Sequence, residues 1–130
     1  GDVDAGFAIF DMIRFIKAPV VHIGMGLIAS AAALILLAVD AQHRVGLANS
    51  RYLIHQPSSG MRGVATDIEI HAKEIEKTRA AIDKIIAEQT GKTPEQVAKD
   101  TERDYWLSAE DAVSYGLISR IVRVRSDLES

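Results

Sequence analysis

Ser30 is the single polar side chain within the apolar run between Gly26 and Asp40. A serine hydroxyl becomes a nucleophile only when a base removes its proton and a third group orients that base. The surrounding residues, IASAA at 28–32, do not form the G-x-S-x-G pattern of many hydrolases. A serine at this point is also a suitable N-cap for a buried helix. The local pattern is therefore compatible with Ser30 as a helix cap or as a nucleophile, and it slightly favours the cap.

Four histidines are candidates for the base. His22 lies inside a predicted strand, where a satisfied core histidine is the more common outcome, His43 lies in a predicted loop, and His71 lies on a highly charged helix. His55 ends a predicted strand, and sites in parallel α/β sheets form at strand ends. Position alone therefore favours His55 over the other three.

Composition excludes several other kinds of site. The 130-residue chain has no cysteine, a net charge of −3, 48% hydrophobic and 25% charged residues. Its histidines show no H-x-x-x-H or H-E-x-x-H spacing, and it contains neither a P-loop nor a G-x-G-x-x-G motif. We expect one globular domain with no metal, and neither nucleic acid nor a membrane as partner.

The longest uncharged run, residues 23–39, is at the short limit for a membrane span. Gly24 and Gly26 interrupt its first part. A short strand followed by a buried core helix is therefore the preferred interpretation.

The helices and strands predicted around these side chains indicate an α/β domain. Asp4 is expected to cap a first helix that ends at Pro19. A strand, an apolar helix and two strands are predicted at residues 20–24, 30–39, 44–49 and 51–56. An apolar crossover helix between strands indicates repeated strand-helix units in a mostly parallel sheet covered by helices.

The second half is dominated by one long helix. A capping box at residues 66–69 starts it and Gly91 ends it, which gives a length of about 35 Å. Its apolar stripe is narrow, so it is expected to project and to pack against a partner copy. Residues 57–64 are predicted as a flexible segment or an irregular edge strand.

Two shorter helices follow the long one. They are expected to begin at Thr93 and Ser108, and Gly116 is expected to end the second. A final strand is predicted within residues 117–125, and a disordered tail over residues 125–130.

Four segments in order, ASAAALILLA, NSRYLIHQP, ATDIEIHAKEI and DTERDYWLSAEDAVSYGLI, resemble the proteolytic subunit of the Clp protease. The resemblance extends over residues 1–122. It implies the crotonase-like ClpP fold, in which the long helix is a protruding "handle". It also implies a Ser-His-Asp triad, with Ser30 as nucleophile, His55 as general base and Asp104 as the group that orients His55.

The same resemblance assigns further site residues. It implies that the backbone N–H groups of Gly1 and Ala31 form the oxyanion hole. It also implies a set of substrate-binding residues, namely Asp2, Val3, Gln56, Pro57, Ser58 and Ser59.

The family's organisation supplies expectations about domains and partners. Residues 1–56 and 92–124 would form a head domain, and residues 57–91 a handle through which two seven-membered rings stack. The subunit would degrade unfolded polypeptides delivered by an AAA+ unfoldase such as ClpX, ClpA or ClpC. It would hold no cofactor itself, because the partner uses the ATP. The expected location is the cytoplasm or an organelle of bacterial origin.

The chain departs from the family pattern around the serine. The usual G-Q-A-A-S is Gly26-Leu27-Ile28-Ala29-Ser30 here, and Ala32 replaces a glycine. In the family a further segment precedes the position of Gly1, and without that segment Gly1 would be a charged chain end where an amide donor is expected. Two alternatives therefore stay open: an impaired or structural subunit of a mixed ring, and an acyl-CoA enzyme of the crotonase type.

Overall fold

A computed structural model of the protein describes residues 2–55 and 65–129, without the side chains of residues 65–67. Five α-helices occur within these ranges: α1 (Val3–Phe15), α2 (Ala31–Leu36), α3 (Ala65–Thr90), α4 (Pro94–Asp100) and α5 (Ala109–Tyr115). The strands there are β1 (His22–Gly24), β2 (Leu27–Ala29), β3 (Arg44–Leu47), β4 (Arg51–Ile54), β5 (Tyr105–Ser108) and β6 (Arg120–Val122).

These strands form two three-stranded sheets instead of the one sheet expected. The first has the order β1-β3-β6 and is parallel throughout. The second has the order β2-β4-β5, with β2 and β4 parallel and β4 and β5 antiparallel. The α/β class and the mainly parallel pairing are confirmed. Strands β2 and β5 were not predicted, because each runs directly into the N-cap of a helix, Ser30 or Ser108, where the sequence signal is that of the helix.

Helix boundaries follow the capping residues, with some corrections. Asp2, and not Asp4, caps α1, and its carboxylate accepts the Ala5 N–H at 3.1 Å. Helix α2 is shorter than residues 30–39 at both ends. Helix α5 is confirmed: Ser108 and Asp111 form a capping box, and Gly116 ends the helix at φ 101°.

A buried arginine joins the ends of three helices. The side chain of Arg44, at the start of β3, is fully buried, and all five of its N–H groups donate. The acceptors lie just beyond or within the last turns of α2, α3 and α5: the carbonyls of Val39, Gln89, Gly116 and Leu117, and the Gln89 side chain. Burial lowers the pKa of Arg44, and nearby Asp40 opposes that shift. A cation surrounded by helix C-termini is favourably placed in their dipoles.

Helix α3 contributes more to the core than its narrow stripe suggested. No residue between 68 and 80 is buried, whereas Asp83, Ile86 and Ala87 are. The last third of the helix therefore belongs to the core, whereas residues 68–80 before it are exposed or half-buried. The helix starts at Ala65, so Thr66, the predicted cap, lies inside it. The Thr66 side chain and the predicted segment of residues 57–64 lie outside the described residues. The division into head and handle stays a prediction.

The predicted disorder after residue 124 is wrong for the described part of that tail. Residues Arg125–Glu129 form a 3-10 helix. The Asp127 carboxylate accepts the N–H groups of Arg123 and Val124 at 2.7 and 3.1 Å, which fastens the turn to the end of β6. A short polar sequence can thus be ordered by one carboxylate that satisfies two backbone donors.

Among the described residues, none of the helices is both long enough and apolar enough to cross a bilayer. The apolar run of residues 23–39 is divided between β1, β2 and α2. Leu34, Leu36 and Leu37 of this run are buried in the core, whereas Met25 and Leu27 are exposed.

Candidate active site

Ser30 lies at a sharp corner between β2 and α2. It is the one non-glycine residue with positive φ in the part of the chain that the structure describes, at φ 56° and ψ −121°. This backbone conformation is strained for a residue with a Cβ. It matches the strand-turn-helix arrangement that exposes a nucleophile in the α/β-hydrolases, although the G-x-S-x-G residues are lacking.

The Ser30 side chain does not cap the helix. Ser30 occupies the N-cap position of α2, yet its hydroxyl makes no capping hydrogen bond. Its Oγ lies 2.6 Å from Nε2 of His55. The interpretation of Ser30 as a helix cap is therefore wrong for its side chain, which pairs with the histidine that the sequence favoured.

Parallel pairing of β2 and β4 brings these two residues together. Ala29 pairs with Leu53 in the ladder, and the Ser30 N–H donates to the Leu53 carbonyl at 3.4 Å. Ser30 and His55 thus follow the carboxyl ends of adjacent parallel strands, although 25 positions separate them in sequence. Both side chains are partly buried, so the pair can be reached from solvent.

Antiparallel pairing of β4 and β5 places Asp104 at the same end of the sheet. Ile54 pairs with Tyr105, the last described pair of the ladder. One further step in this register puts His55 opposite Asp104. Asp104 is exposed and lies in the turn between α4 and β5.

The pair is lined by apolar side chains from three elements. A cavity of about 20 Å³, enough for about one water molecule, adjoins Ser30 and His55. Its other lining residues come from α2, β4 and the inner end of α3: Ala33, Leu34, Ile54, Ile82 and Ile86. Ile82 and Ile86 belong to the narrow apolar stripe of α3, and no local signal in the sequence connected them with the site.

The start of α1 lies close to the residue after Ser30. A Cβ added to Gly6 would be 3.1 Å from the Ala31 Cβ, so the absence of a side chain at Gly6 allows the two helices to approach. Asp2 and Val3, expected to bind substrate, are the N-cap and first residue of α1. Gly1, Gln56, Pro57, Ser58 and Ser59 lie outside the described residues, so their predicted roles stay predictions.

The other histidines are placed away from Ser30 in the fold. His22 Nδ1 donates to the Leu36 carbonyl at 3.0 Å, as expected for a satisfied core histidine. His43 ends a 3-10 helix over Ala41–His43 and is exposed, and His71 is exposed on α3. Over residues 2–55 and 68–129, no group of three His, Asp or Glu side chains is placed to hold a metal ion.

Comparison with known proteins identifies the family that this chain matches. The family model described as Clp protease matches residues 1–125. The chain is 66% identical over 128 residues to "ATP-dependent Clp protease proteolytic subunit 2" of Treponema denticola, covering 98% of this chain and 64% of that protein. It is 52% identical over 122 residues to the protein of the same name from Pseudomonas aeruginosa, covering 94% and 61%. The chain thus spans less than two thirds of the length of these relatives.

A solved structure shares the fold. The "ClpP1 N165D mutant from Listeria monocytogenes" superimposes with a TM-score of 0.91 at 46% identity, covering 98% of this chain and 71% of that one. The fold is therefore the ClpP fold, as the resemblance implied.

Proposed function

Because the chain belongs to the Clp protease family, we propose that it is a proteolytic subunit of an ATP-dependent serine endopeptidase. Ser30, His55 and Asp104 are its triad in this proposal. The observation that carries it is the 2.6 Å separation between Ser30 Oγ and His55 Nε2. That distance is within the range required between a nucleophile and its base.

The pair supports acyl transfer in two steps. Neutral His55 accepts the Ser30 proton at Nε2 as Oγ attacks the peptide carbonyl, and the imidazolium then gives that proton to the departing amine. Water next attacks the acyl-enzyme while His55 again acts as base. Asp104 would hold the imidazole in the tautomer with the proton on Nδ1, which leaves Nε2 free to accept.

The oxyanion of each tetrahedral intermediate requires backbone donors. Ala31 N–H is at the first position of α2, where a helix lacks internal partners for its N–H groups. The second donor would come from Gly1. The close approach of α1 to Ala31 at Gly6 supports a site between these two helix starts.

The wider function follows from the family in the same proposal. Asp2 and Val3 on one side and residues 56–59 on the other would hold an extended polypeptide as an added strand. The subunit would act in two stacked heptameric rings in the cytoplasm, on polypeptides unfolded by a Clp ATPase. ATP would be used by that partner, and this chain would need no cofactor.

A fluorophosphonate probe tests the proposal directly, because it labels only an activated serine. We expect stoichiometric label on Ser30, located by mass spectrometry of the full chain. Ser50, whose hydroxyl donates to the Leu47 carbonyl at 2.7 Å, is a built-in control and should stay unlabelled. The variant His55→Ala should lose the label.

The other outcomes separate the alternatives. A folded protein that takes no label would contradict the proposal and favour the impaired or structural subunit. Label that persists in His55→Ala would show that His55 is not the base. The crotonase alternative would be supported by thermal stabilisation with an acyl-CoA in a protein that takes no label.

A further inference from the structure

The turn that carries Asp104 is fastened at its beginning, where the Thr101 hydroxyl donates to the Val97 carbonyl at 2.9 Å and lies 3.3 Å from Asp83 Oδ1. It covers residues 101–104, between the end of α4 at Asp100 and the start of β5 at Tyr105. Within it, Thr101 is buried, whereas the following three residues are exposed. The position of Asp104 therefore depends on what holds the two ends of the turn.

Tyr115 contacts both ends. Its hydroxyl donates to Asp100 Oδ2 at 2.9 Å, directly before the turn. Its ring packs edge-on against the ring of Tyr105, directly after the turn, with centroids 5.5 Å apart and an interplanar angle of 80°. The opposite carboxylate oxygen of Asp100 accepts from the Gln96 side chain at 2.8 Å, so the carboxylate is held from two sides.

The helix that carries Tyr115 is itself firmly anchored. The carbonyl of the next residue, Gly116, accepts a hydrogen bond from the buried Arg44 at 2.9 Å. Gly116 also approaches Thr90 so closely that an added Cβ would be 3.1 Å from the Thr90 Cα. Tyr115 is thus attached to a rigid part of the fold, and the turn is attached to Tyr115.

The phenol keeps its proton and so remains a donor. Burial, together with the hydrogen bond to Asp100 and the charge of that carboxylate, raises the pKa of Tyr115 well above its usual range. Tyr115 is 6% exposed, and the Lys92 ammonium lies 4.6 Å from the centroid of its ring. The contact with Asp100 is a charge-assisted hydrogen bond, which is stronger than a neutral one.

We propose that Tyr115 is a positioning residue for the reaction, which holds both ends of the 101–104 turn and thereby aligns Asp104 with His55. This inference rests on the proposed function, since it acts through the third member of the triad. It adds a residue from α5, outside the strands and turns that carry the triad. A displacement of about 1 Å in a catalytic group can cost up to about 100-fold in rate.

The test is a double-mutant cycle on peptide hydrolysis by the full chain. Tyr115→Phe removes the hydroxyl and keeps the ring against Tyr105. We expect kcat to fall about 10-fold with little change in KM. In a background of Asp104→Asn, already slow, the same change should have almost no further effect, because its effect passes through Asp104.

Tyr52→Phe is the matched control. Tyr52 is another buried tyrosine, and its hydroxyl bonds to Ser50 at 2.9 Å. Its loss should lower thermal stability, as the loss of the Tyr115 hydroxyl does, and leave kcat unchanged. If Tyr115→Phe proves too unstable, Asp100→Ala removes the same hydrogen bond from the other side and should give the same non-additivity.

The contrary results are distinct. A wild-type kcat for Tyr115→Phe, or an equal loss in the presence and absence of the Asp104 carboxylate, would overturn the inference alone. Full activity of Asp104→Asn would overturn the triad proposal and this inference with it.

Discussion

Ser30 and Arg44 are both polar residues next to short strands and apolar helices, and the fold treats them in opposite ways. Arg44 is fully buried, and every one of its N–H groups has an acceptor. Ser30 has a strained backbone, and its side chain makes no helix-capping bond. Its hydroxyl is directed to a histidine from a neighbouring strand.

The difference separates a group that stabilises from a group that is available to react. Burying a cation destabilises the fold unless all its donors have acceptors. Once they do, replacing the cation is also destabilising, because its acceptors are left buried without partners. A serine that capped α2 would have its oxygen occupied by the helix N–H groups. The strained corner prevents this and makes the hydroxyl available, which fits strain at functional sites in general.

Removal of the Ser30 hydroxyl should have the largest effect on activity. We expect Ser30→Ala to reduce peptide hydrolysis by about 10⁵-fold or more, because the proposed nucleophile is lost. Thermal stability should stay within about 1 kcal/mol of the wild type, because the hydroxyl caps no helix. Turnover and a thermal melting curve of the same variant test the expected loss of activity and the expected stability. A large loss of stability would contradict the difference proposed between Ser30 and Arg44.

Arg44 should show the reverse pattern, with the largest effect on stability. Lysine offers three N–H donors where Arg44 uses five, so Arg44→Lys leaves at least two acceptors without a partner. We expect a loss of about 3 kcal/mol in urea unfolding. Arg51→Lys is the control: Arg51 is exposed beside Trp106, and its change should cost under about 1 kcal/mol. Equal losses in the two variants would argue against the Arg44 network.

The strain at Ser30 can be measured separately from its chemistry. Glycine accepts positive φ and alanine does not, so Ser30→Gly should be more stable than Ser30→Ala by about 1 kcal/mol. Both variants lack the nucleophile and should be equally inactive. Calorimetry of the two variants measures this difference in stability. An alanine variant as stable as the glycine variant, or more stable, would mean that the backbone at Ser30 is unstrained.

The smallest effect is expected at Asp83, near the inner end of α3. Burial raises the pKa of this carboxyl, although a hydrogen bond from Thr101 and the charge of Arg79 oppose the shift. A carboxyl with a raised pKa stabilises the fold below its ordinary titration range and loses that contribution as pH rises through the raised pKa. Asp83→Asn keeps an acceptor for Thr101 and should raise the melting temperature at pH 7 by about 1–3 °C. The gain should shrink as pH is lowered toward 4, and a constant gain would rule out titration of Asp83 as its cause.

Residue types and short-range signals determined a large part of this structure. Three helix boundaries could be predicted from the sequence: the cap at Thr93, the capping box at Ser108 and the end at Gly116. Each depends on a side chain or a positive φ that acts on backbone groups within four residues. His55 was favoured because it lies at the end of a predicted strand, and sites in parallel sheets form at strand ends. The resemblance to the Clp family added the roles of Ser30 and Asp104, which no local pattern could supply.

Tertiary structure decided the features that depend on long-range pairing. Strands β2 and β5 exist because both pair with β4, and this pairing brings Ser30 to His55 and the turn of Asp104 to the same end of the sheet. The local sequence at Ser30 fits both a cap and a nucleophile and slightly favours the cap. The corner between β2 and α2 decides between them, because the hydroxyl there makes no capping bond and instead lies beside His55, 25 residues later in the chain.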